Sequence, residues 1–195
     1  ETRPGSGQSQ TDAPLATRVS TVGLVQPHLE GKIINPETGE TVPRGTTGEL
    51  CTKGYSVMQG YWGDDARTRE AIDAEGFMHT GDLATMDEEG YVNIVGRSKD
   101  MVIRGGENVY PREIEEFLYR HPKIQDVQVV GVPDQRFGEE LCAWIIVKPG
   151  QQLTDGEVRE FCKGKIAHYK VPRYLKFVPE FPMTVTGKIQ KFKIR

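Results

Sequence analysis

Short runs of apolar or alternating residues, separated by turns, fill the chain between Val22 and Val95. Alternation with a period of two is typical of half-buried strands, and the intervening Asn-Pro, Thr-Gly and Glu-Gly pairs are common turn residues. The pattern predicts an antiparallel β unit, either barrel-like or a sheet, interrupted by one short helix over about residues 65–74. The predicted strands cover residues 22–25, 32–34, 49–52, 78–86 and 91–95.

After Gly96 the pattern changes to strand, helix, strand, strand, helix, strand. Pro111 stands where a first helical turn tolerates proline, and apolar residues follow it at helical spacing. Thr154 with Glu157 three residues later forms a capping-box sequence, which predicts a second helix over about residues 154–168. The predicted strands are residues 101–103, 127–132, 141–147 and 174–178, and residues 107–111 are interpreted as a loop.

The whole chain is therefore predicted to be an α+β protein in which a small, antiparallel, β-barrel-like unit precedes a compact α+β unit. Residues 1–21 offer little to bury and are interpreted as a disordered or loop segment. The β-rich unit covers residues 22–96, a charged connector covers residues 97–100, and the second unit covers residues 101–195.

Composition narrows the functional classes without naming one. A formal charge of -3, with acidic and basic residues interleaved, gives no field that favours nucleic acid as a partner. No apolar run is long enough for a transmembrane segment. Cys51, Cys142 and Cys162 are an odd number, and the first two stand in apolar strand patterns, which predicts reduced thiols and an intracellular, cytoplasmic setting.

Two nucleotide-binding motifs are excluded. The Thr186-Gly187-Lys188 segment does not match the P-loop motif. Pro182 stands where the motif requires its first glycine, and Ile189 stands where it requires serine or threonine. The Gly105-Gly106 pair lacks the third glycine of a dinucleotide fingerprint. P-loop and Rossmann enzymes are therefore poor interpretations.

Three charged segments remain as candidates, each with an ordinary structural alternative. Asp82 in His-Thr-Gly-Asp could accept hydrogen bonds from the vicinal hydroxyls of a ribose, or could form a surface turn. The segment 97–100 could be a hinge or a solvated connector. Lys188 stands in a loop rich in threonine and glycine, which suits binding to phosphate or carboxylate oxygens but also a solvated basic terminus.

The order of these segments along the chain favours the functional alternative for each of them. Four segments closely resemble the later motifs of the adenylate-forming ligases: residues 48–61, then Thr80-Gly81-Asp82, then residues 96–115, then residues 182–191. That family includes acyl-CoA synthetases, peptide-synthetase adenylation domains and beetle luciferases. The resemblance runs from Val22 onward and is strongest to fatty-acid CoA ligases, particularly the branch called acyl-CoA synthetase family member two.

The resemblance implies roles for individual residues. Asp82 would bind the ribose hydroxyls of ATP, and Arg97 would contact the ribose or a phosphate. Lys99 would be the hinge about which a small carboxy-terminal domain swings between two poses. Lys188 would be catalytic, bridging the acyl carboxylate and the phosphate under attack in the first half-reaction.

The remaining assignments concern coenzyme A and magnesium. Arg104, Gly105, Gly106 and Lys163 match positions near coenzyme A in such enzymes, the glycines giving the pantetheine arm room to pass. Glu1 would be the remnant of an upstream motif whose glutamate helps to hold Mg²⁺. The resemblance also implies that the phosphate loop and the acyl pocket lie upstream, so the chain alone is expected to be inactive.

Three functional hypotheses follow. The first is acyl-CoA synthesis, in which a carboxylic acid, expected to be a fatty acid, reacts with ATP to give acyl-AMP and the acyl group then passes to coenzyme A. The second is adenylation of an acid for a carrier protein. The third is a binding module without activity. Neither acyl specificity nor oligomeric state follows from these residues.

Overall fold

The computed structural model describes residues 7–195 and divides into two compact units, Glu1–Lys99 and Asp100–Arg195. We call these the first unit and the second unit. The division falls within the charged connector at residues 97–100, where a short 3₁₀ helix, Ser98–Asp100, follows the last strand of the first unit. The hinge function of this connector stays a prediction.

The first unit is built on an open four-stranded antiparallel sheet. Its strands are β3 (Leu29–Ile34), β4 (Gly48–Gly54), β5 (Met78–Met86) and β6 (Val92–Arg97), paired in the order β3-β4-β5-β6. The sheet does not close into a barrel within residues 7–99. The predicted antiparallel β unit is thus confirmed in its sheet form.

Alternation along the strands explains why this sheet is buried on both faces. Ile33 and Leu50 belong to one apolar cluster with Ala84, whereas their neighbours Ile34 and Cys51 belong to a separate cluster with Phe77. Because successive side chains of a strand point to opposite faces, the two clusters lie on opposite sides of the sheet.

The loop prediction for residues 1–21 is wrong for Gly7–Gln8 and Leu15–Ser20, whereas residues 9–14 lie in turns and loop. Strand β1 (Gly7–Gln8) pairs with β2 (Leu24–Val25), and helix α1 covers Leu15–Ser20. Strand β1 depends on its pairing with β2, which low apolar content does not reveal. Helix α2 (Asp65–Ala71) was predicted, and the Asp64 carboxylate caps it by accepting the Arg67 N–H at 2.9 Å.

The second unit combines a five-stranded mixed sheet with two helices. Its strands are β7 (Val102–Arg104), β8 (Glu107–Val109), β9 (Ile124–Asp134), β10 (Gly138–Val147) and β11 (Tyr174–Phe177), and its helices are α3 (Pro111–Leu118) and α4 (Asp155–Cys162). Strands β9 and β10 form a long antiparallel hairpin, and β11 runs parallel to β10. The α+β prediction is confirmed.

Each face of the β9–β10 hairpin is covered by different parts of the chain. Val127, Val129 and Leu141 belong to the main core, which includes α3 and α4 residues. Val130 and Cys142, on the other face, pack with residues from the end of the chain. The second unit is therefore layered as helices, sheet and carboxy-terminal tail.

Two of the differences from the sequence prediction have a clear physical cause. Residues Glu107–Val109 form strand β8 rather than a loop, because they pair with β7 across a two-residue turn. Helix α4 ends at Cys162 and does not reach residue 168. Lys-Gly-Lys follows Cys162, and glycine has a low helix propensity. Its capping box is present, since the Thr154 hydroxyl accepts the Glu157 N–H and the Glu157 carboxylate accepts the Thr154 N–H.

Within residues 7–195, each helix is too short or too polar to cross a membrane.

Candidate active site

Asp82 and Arg97 face each other across strands β5 and β6. Their backbones are directly paired, and Asp82 Oδ1 lies 3.4 Å from Arg97 Nε. The Asp82 side chain is 13 % exposed and that of Arg97 is 40 % exposed. Asp82 is therefore a strand residue with a largely buried carboxylate, and the surface-turn alternative is wrong.

The backbone before Asp82 is held by a glutamate of the neighbouring strand. Glu49 Oε1 accepts the Gly81 N–H at 3.0 Å, and Glu49 Oε2 lies 3.0 Å from His79 Nδ1. Thr80 Oγ1 donates to a carbonyl of β4 at 2.7 Å and accepts the Asp82 N–H at 3.1 Å. The β4–β5 register shifts here, and these bonds satisfy the polar groups that such an irregularity frees.

The same place contains a group of metal-ligand types. Donor atoms of Glu49, Cys51 and His79 all lie within 4.8 Å of one another. Burial raises the pKa of the Cys51 thiol to about 12, so the thiol is protonated when no metal is bound. The glutamate and histidine already bond to each other and to the strand, so this group is explained as a hydrogen-bonded support for Asp82.

Lys188 lies in a closed loop near the end of the chain, directly after the turn that forms the tip of the loop. Met183 and Ile189 form a β-bridge, Thr184 N–H donates to the Lys188 carbonyl at 2.8 Å, and the Lys188 N–H donates to Thr184 Oγ1 at 3.0 Å. Gly187 has φ +78° in the turn, a conformation that glycine adopts without strain. We call residues 183–189 the lysine loop.

The lysine loop presents an exposed ammonium on a fixed backbone. Lys188 is exposed, and no hydrogen bond or ion pair joins its Nζ to any side chain of residues 7–195. The hydrogen bonds between Thr184 and Lys188 define the shape of the loop backbone. An exposed cation without an internal partner is suited to bind an anionic ligand.

Gly105 and Gly106 form the two-residue turn of the β7–β8 hairpin. Their φ values are +59° and +88°, and Arg104 pairs directly with Glu107 across the turn. Two positive φ values in a two-residue hairpin are typical of a type I′ turn, which strongly prefers glycine. The turn therefore requires these glycines whatever ligand passes near them.

Arg104 is held by a buried carboxylate. Its Nε donates to Glu140 Oε1 at 2.6 Å, its Nη2 contacts the same oxygen, and the Glu140 side chain is fully buried. The guanidinium also lies over the Phe137 ring at 4.3 Å. A buried carboxylate requires such a partner, so Arg104 has a structural role in the second unit.

A cavity of about 470 Å³ in the second unit is lined mainly by basic side chains. Lys163 lines it and pairs with Glu160 at 3.5 Å, with both side chains largely exposed. Arg159 Nη2 donates to the Arg173 carbonyl at 2.6 Å, which holds the cavity wall together. The basic residues of the lining are Arg104, Arg159, Lys163, His168 and Arg173.

The predicted site residues are divided between the two units. Asp82, Arg97 and Lys99 belong to the first unit, and the coenzyme A candidates and Lys188 belong to the second. Glu1, the candidate magnesium ligand, lies outside the described residues. The roles of Glu49 and Glu140 were not predicted from the sequence, because they are recognised only when the partners of these residues on other strands are known.

Two family models match the chain. The model of the AMP-binding enzyme family matches residues 1–62, and the model of the AMP-binding enzyme C-terminal domain matches residues 113–188. The second match covers helix α3, the β9–β10 hairpin and helix α4, and it ends at Lys188.

Two curated relatives match all of this chain. The putative acyl-CoA synthetase YngI of Bacillus subtilis is 55 % identical over 195 residues, which are 36 % of its own length. The mitochondrial medium-chain acyl-CoA ligase ACSF2 of Bos taurus is 53 % identical over 195 residues, 32 % of its length. The chain spans about a third of the length of these relatives.

A solved structure shares the fold. The ATP-bound RpMatB-BxBclM chimera B3 is 37 % identical and aligns with a TM-score of 0.90 over 97 % of this chain and 37 % of that protein. Together with the two family models and the curated relatives, this similarity covers both units and every predicted motif. Because both units match models of this family, the chain belongs to the AMP-binding enzymes.

Proposed function

We propose that this chain is the carboxy-terminal part of an acid–thiol ligase that makes acyl-CoA. In the first half-reaction a carboxylate oxygen attacks the α-phosphorus of ATP, which gives acyl-AMP and releases pyrophosphate. In the second, the thiol of coenzyme A attacks the acyl carbon, which forms the thioester and releases AMP. The observation that carries the proposal is the identity of 53 to 55 % over the whole chain with YngI and the bovine ACSF2 ligase.

The Asp82–Arg97 pair is proposed to bind the ribose and phosphate side of ATP. A largely buried carboxylate can accept both vicinal hydroxyls of a ribose, and hydrogen bonds to a charged group contribute about 1.5–3 kcal/mol each. Arg97 is exposed enough to contact a phosphate or a ribose oxygen while its guanidinium stays beside the Asp82 carboxylate. The Glu49 carboxylate holds the backbone that carries Asp82.

Lys188 is proposed to stabilise the negative charge that develops in the first half-reaction. Its ammonium is exposed, and the lysine loop holds its backbone by two hydrogen bonds to Thr184. A preorganised charge at the phosphate and carboxylate oxygens stabilises the transition state more than the ground state, by about 3–4 kcal/mol for comparable donors. Lys99 is proposed as the hinge between the two units.

The basic cavity is proposed to take the phosphates of coenzyme A. Lys163 and Arg173 supply exposed cations there, whereas Arg104 is held by Glu140 and contributes to the wall. Gly105 and Gly106 leave their turn without side chains, so the pantetheine arm can pass close to the backbone. Magnesium is expected to accompany ATP, but its candidate ligand lies outside the described residues and no step here depends on it.

The test is a substrate screen with the full-length protein that contains this chain. Medium-chain fatty acids are the first candidates because the ACSF2 relatives carry that name. We expect acid-dependent exchange of pyrophosphate into ATP, and formation of acyl-CoA with release of AMP when free coenzyme A is added. The chain alone is expected to show no exchange.

The outcomes separate the hypotheses. Exchange without use of free coenzyme A would favour the carrier-protein alternative. Absence of exchange with every acid, in a folded full-length protein that binds ATP, would contradict the proposed function.

A further inference from the structure

The chain on both sides of the lysine loop is fixed to the second unit. Phe181, just before the loop, is buried, and so is Ile194 near the end of the chain. Ile189 and Ile194 pack with Val130 and Cys142 on the tail-covered face of the β9–β10 hairpin. Apolar contacts of this kind hold the tail on the sheet but do not fix its position along the sheet, because they are not directional.

A directional contact is supplied by Lys191. Its Nζ lies 2.9 Å from Oε1 of Glu115, which belongs to helix α3, and the Glu115 side chain is only 11 % exposed. The same carboxylate oxygen accepts the Val129 N–H at 2.8 Å. Strand β9 pairs with β10 alone, so this N–H lies on its other edge and needs a partner. One buried carboxylate therefore joins helix, strand edge and tail.

Burying the charge of Glu115 costs free energy, which a purely structural position would not require. It stands three residues before Leu118, on the apolar face of α3, where burial disfavours a charge unless a partner is present. Val129 needs only a neutral acceptor, which glutamine would also supply. The charge of Glu115 is explained by the ammonium of Lys191.

The position of Lys191 connects this pair to the reactive lysine. Lys191 stands three positions after Lys188, so their Cα atoms are at most about 11 Å apart. The β-bridge of Ile189 with Met183 transmits the position of the tail to both ends of the lysine loop. A shift of the tail along the sheet would therefore shift Lys188.

We propose that the Glu115–Lys191 ion pair is a positioning device that sets the lysine loop for the first half-reaction. This inference rests on the proposed role of Lys188. It assigns to Glu115 and Lys191 no contact with substrate. Removing the pair should leave the fold and the coenzyme A cavity in place and displace only the ammonium of Lys188.

The experiment uses Glu115→Gln, Lys191→Met and the double variant in the full-length protein. Glutamine keeps an acceptor for the Val129 N–H, and methionine keeps the length and apolar stem of lysine. Glu113→Gln is the matched control, since Glu113 on the same helix pairs with Lys170 at 2.6 Å but is half exposed. Lys191→Arg is the conservative variant, which keeps the positive charge and should keep acyl-AMP formation.

We expect both single variants to slow acyl-AMP formation by about 10- to 100-fold, the cost of small misplacements in active sites. Thioester formation from preformed acyl-AMP should change by less than about twofold, because Lys188 acts only in the first step. The double variant should be no slower than either single variant, since the two residues act as one unit. Glu113→Gln should match the wild type.

Contradictory results are distinguishable. Equal losses in both half-reactions, or losses that add in the double variant, would show that the pair only stabilises the fold. Unchanged acyl-AMP formation in both single variants, with Lys188→Ala still inactive in that step, would overturn the positioning role alone. If Lys188→Ala also left acyl-AMP formation intact, the proposed function of Lys188 would fail, and the positioning role with it.

Discussion

Asp82 and Arg97 are directly paired residues on neighbouring antiparallel strands, and the carboxylate of one lies 3.4 Å from the guanidinium of the other. Because both backbones belong to hydrogen-bonded strands, neither side chain depends on a flexible turn for its position. The pair gives the first unit a largely buried anion beside a partly exposed cation, an arrangement that can bind the hydroxyls and an anionic group of one ligand.

The first prediction concerns recognition of ribose by Asp82. Asp82→Asn keeps the shape but removes the charge that strengthens hydrogen bonds from hydroxyls. We expect kcat/KM for ATP to fall by about 10- to 100-fold, equivalent to one charged hydrogen bond. The ratio of kcat/KM for ATP to that for 2′-deoxy-ATP should fall toward one in the variant.

Exposed Glu88, on the turn between β5 and β6, offers the control, and Glu88→Gln should keep the wild-type ratio. If Asp82→Asn discriminated between the two nucleotides as well as the wild type does, Asp82 would not bind the 2′-hydroxyl.

The second prediction concerns Lys188. Lys188→Ala should reduce acyl-AMP formation by about 10²- to 10³-fold, because it removes a preorganised charge from the transition state. Thioester formation from synthetic acyl-AMP should stay near the wild-type rate. Single-turnover assays of the two half-reactions measure this split, and equal losses in both would exclude the assignment.

The third prediction concerns the connector. Lys99 lies in the 3₁₀ helix Ser98–Asp100, and proline at this position fixes φ and restricts the residue before it. Lys99→Pro should preserve acyl-AMP formation and slow thioester formation, because the first step needs one pose and the second needs rotation. Thioester formation at the wild-type rate would count against Lys99 as the hinge.

The fourth prediction concerns the basic cavity. Arg173→Gln and Lys163→Gln should raise KM for coenzyme A, since each removes a cation that can pair with a phosphate. The increase should be smaller for dephospho-coenzyme A if the 3′-phosphate is the group bound. Exposed Lys193 lies outside the cavity lining, and Lys193→Gln should leave KM unchanged. Unchanged KM in both cavity variants would place coenzyme A elsewhere.

The fifth prediction concerns stability in acid. The hydrogen bond from Lys123, together with the Thr154 cap, lowers the pKa of Glu157 from 4.5 to about 2. A lowered folded-state pKa means that this stabilisation is complete above about pH 4.5 and is lost as the pH falls to about 2. Glu157→Gln should therefore be less stable than the wild type at neutral pH and equal to it near pH 2.

Urea unfolding of the full-length protein across this pH range measures the difference. A gap between the two proteins that did not narrow on acidification would show that Glu157 acts through packing and not through its charge.

Features that depend on residues close together in the chain could be predicted from the sequence. The capping box of Thr154 and Glu157, the helix start at Pro111 and strand β5 over Met78–Met86 all occur where the pattern predicts them. These features depend on residues a few positions apart, whose hydrogen-bonding and burial preferences act within one element. The order of the motifs likewise identified the family, because it belongs to the sequence itself.

Contacts between distant segments were decided by the tertiary structure. Arg104 matched a coenzyme A position, but folding brings it to buried Glu140, 36 positions away, which gives it a structural task. Glu115 is buried on helix α3, and only folding brings Lys191, 76 positions away, beside it. Sequence determined which groups are present and which local element each joins. Folding decided which charges meet, because the free energy of a buried charge depends on a partner that no local pattern specifies.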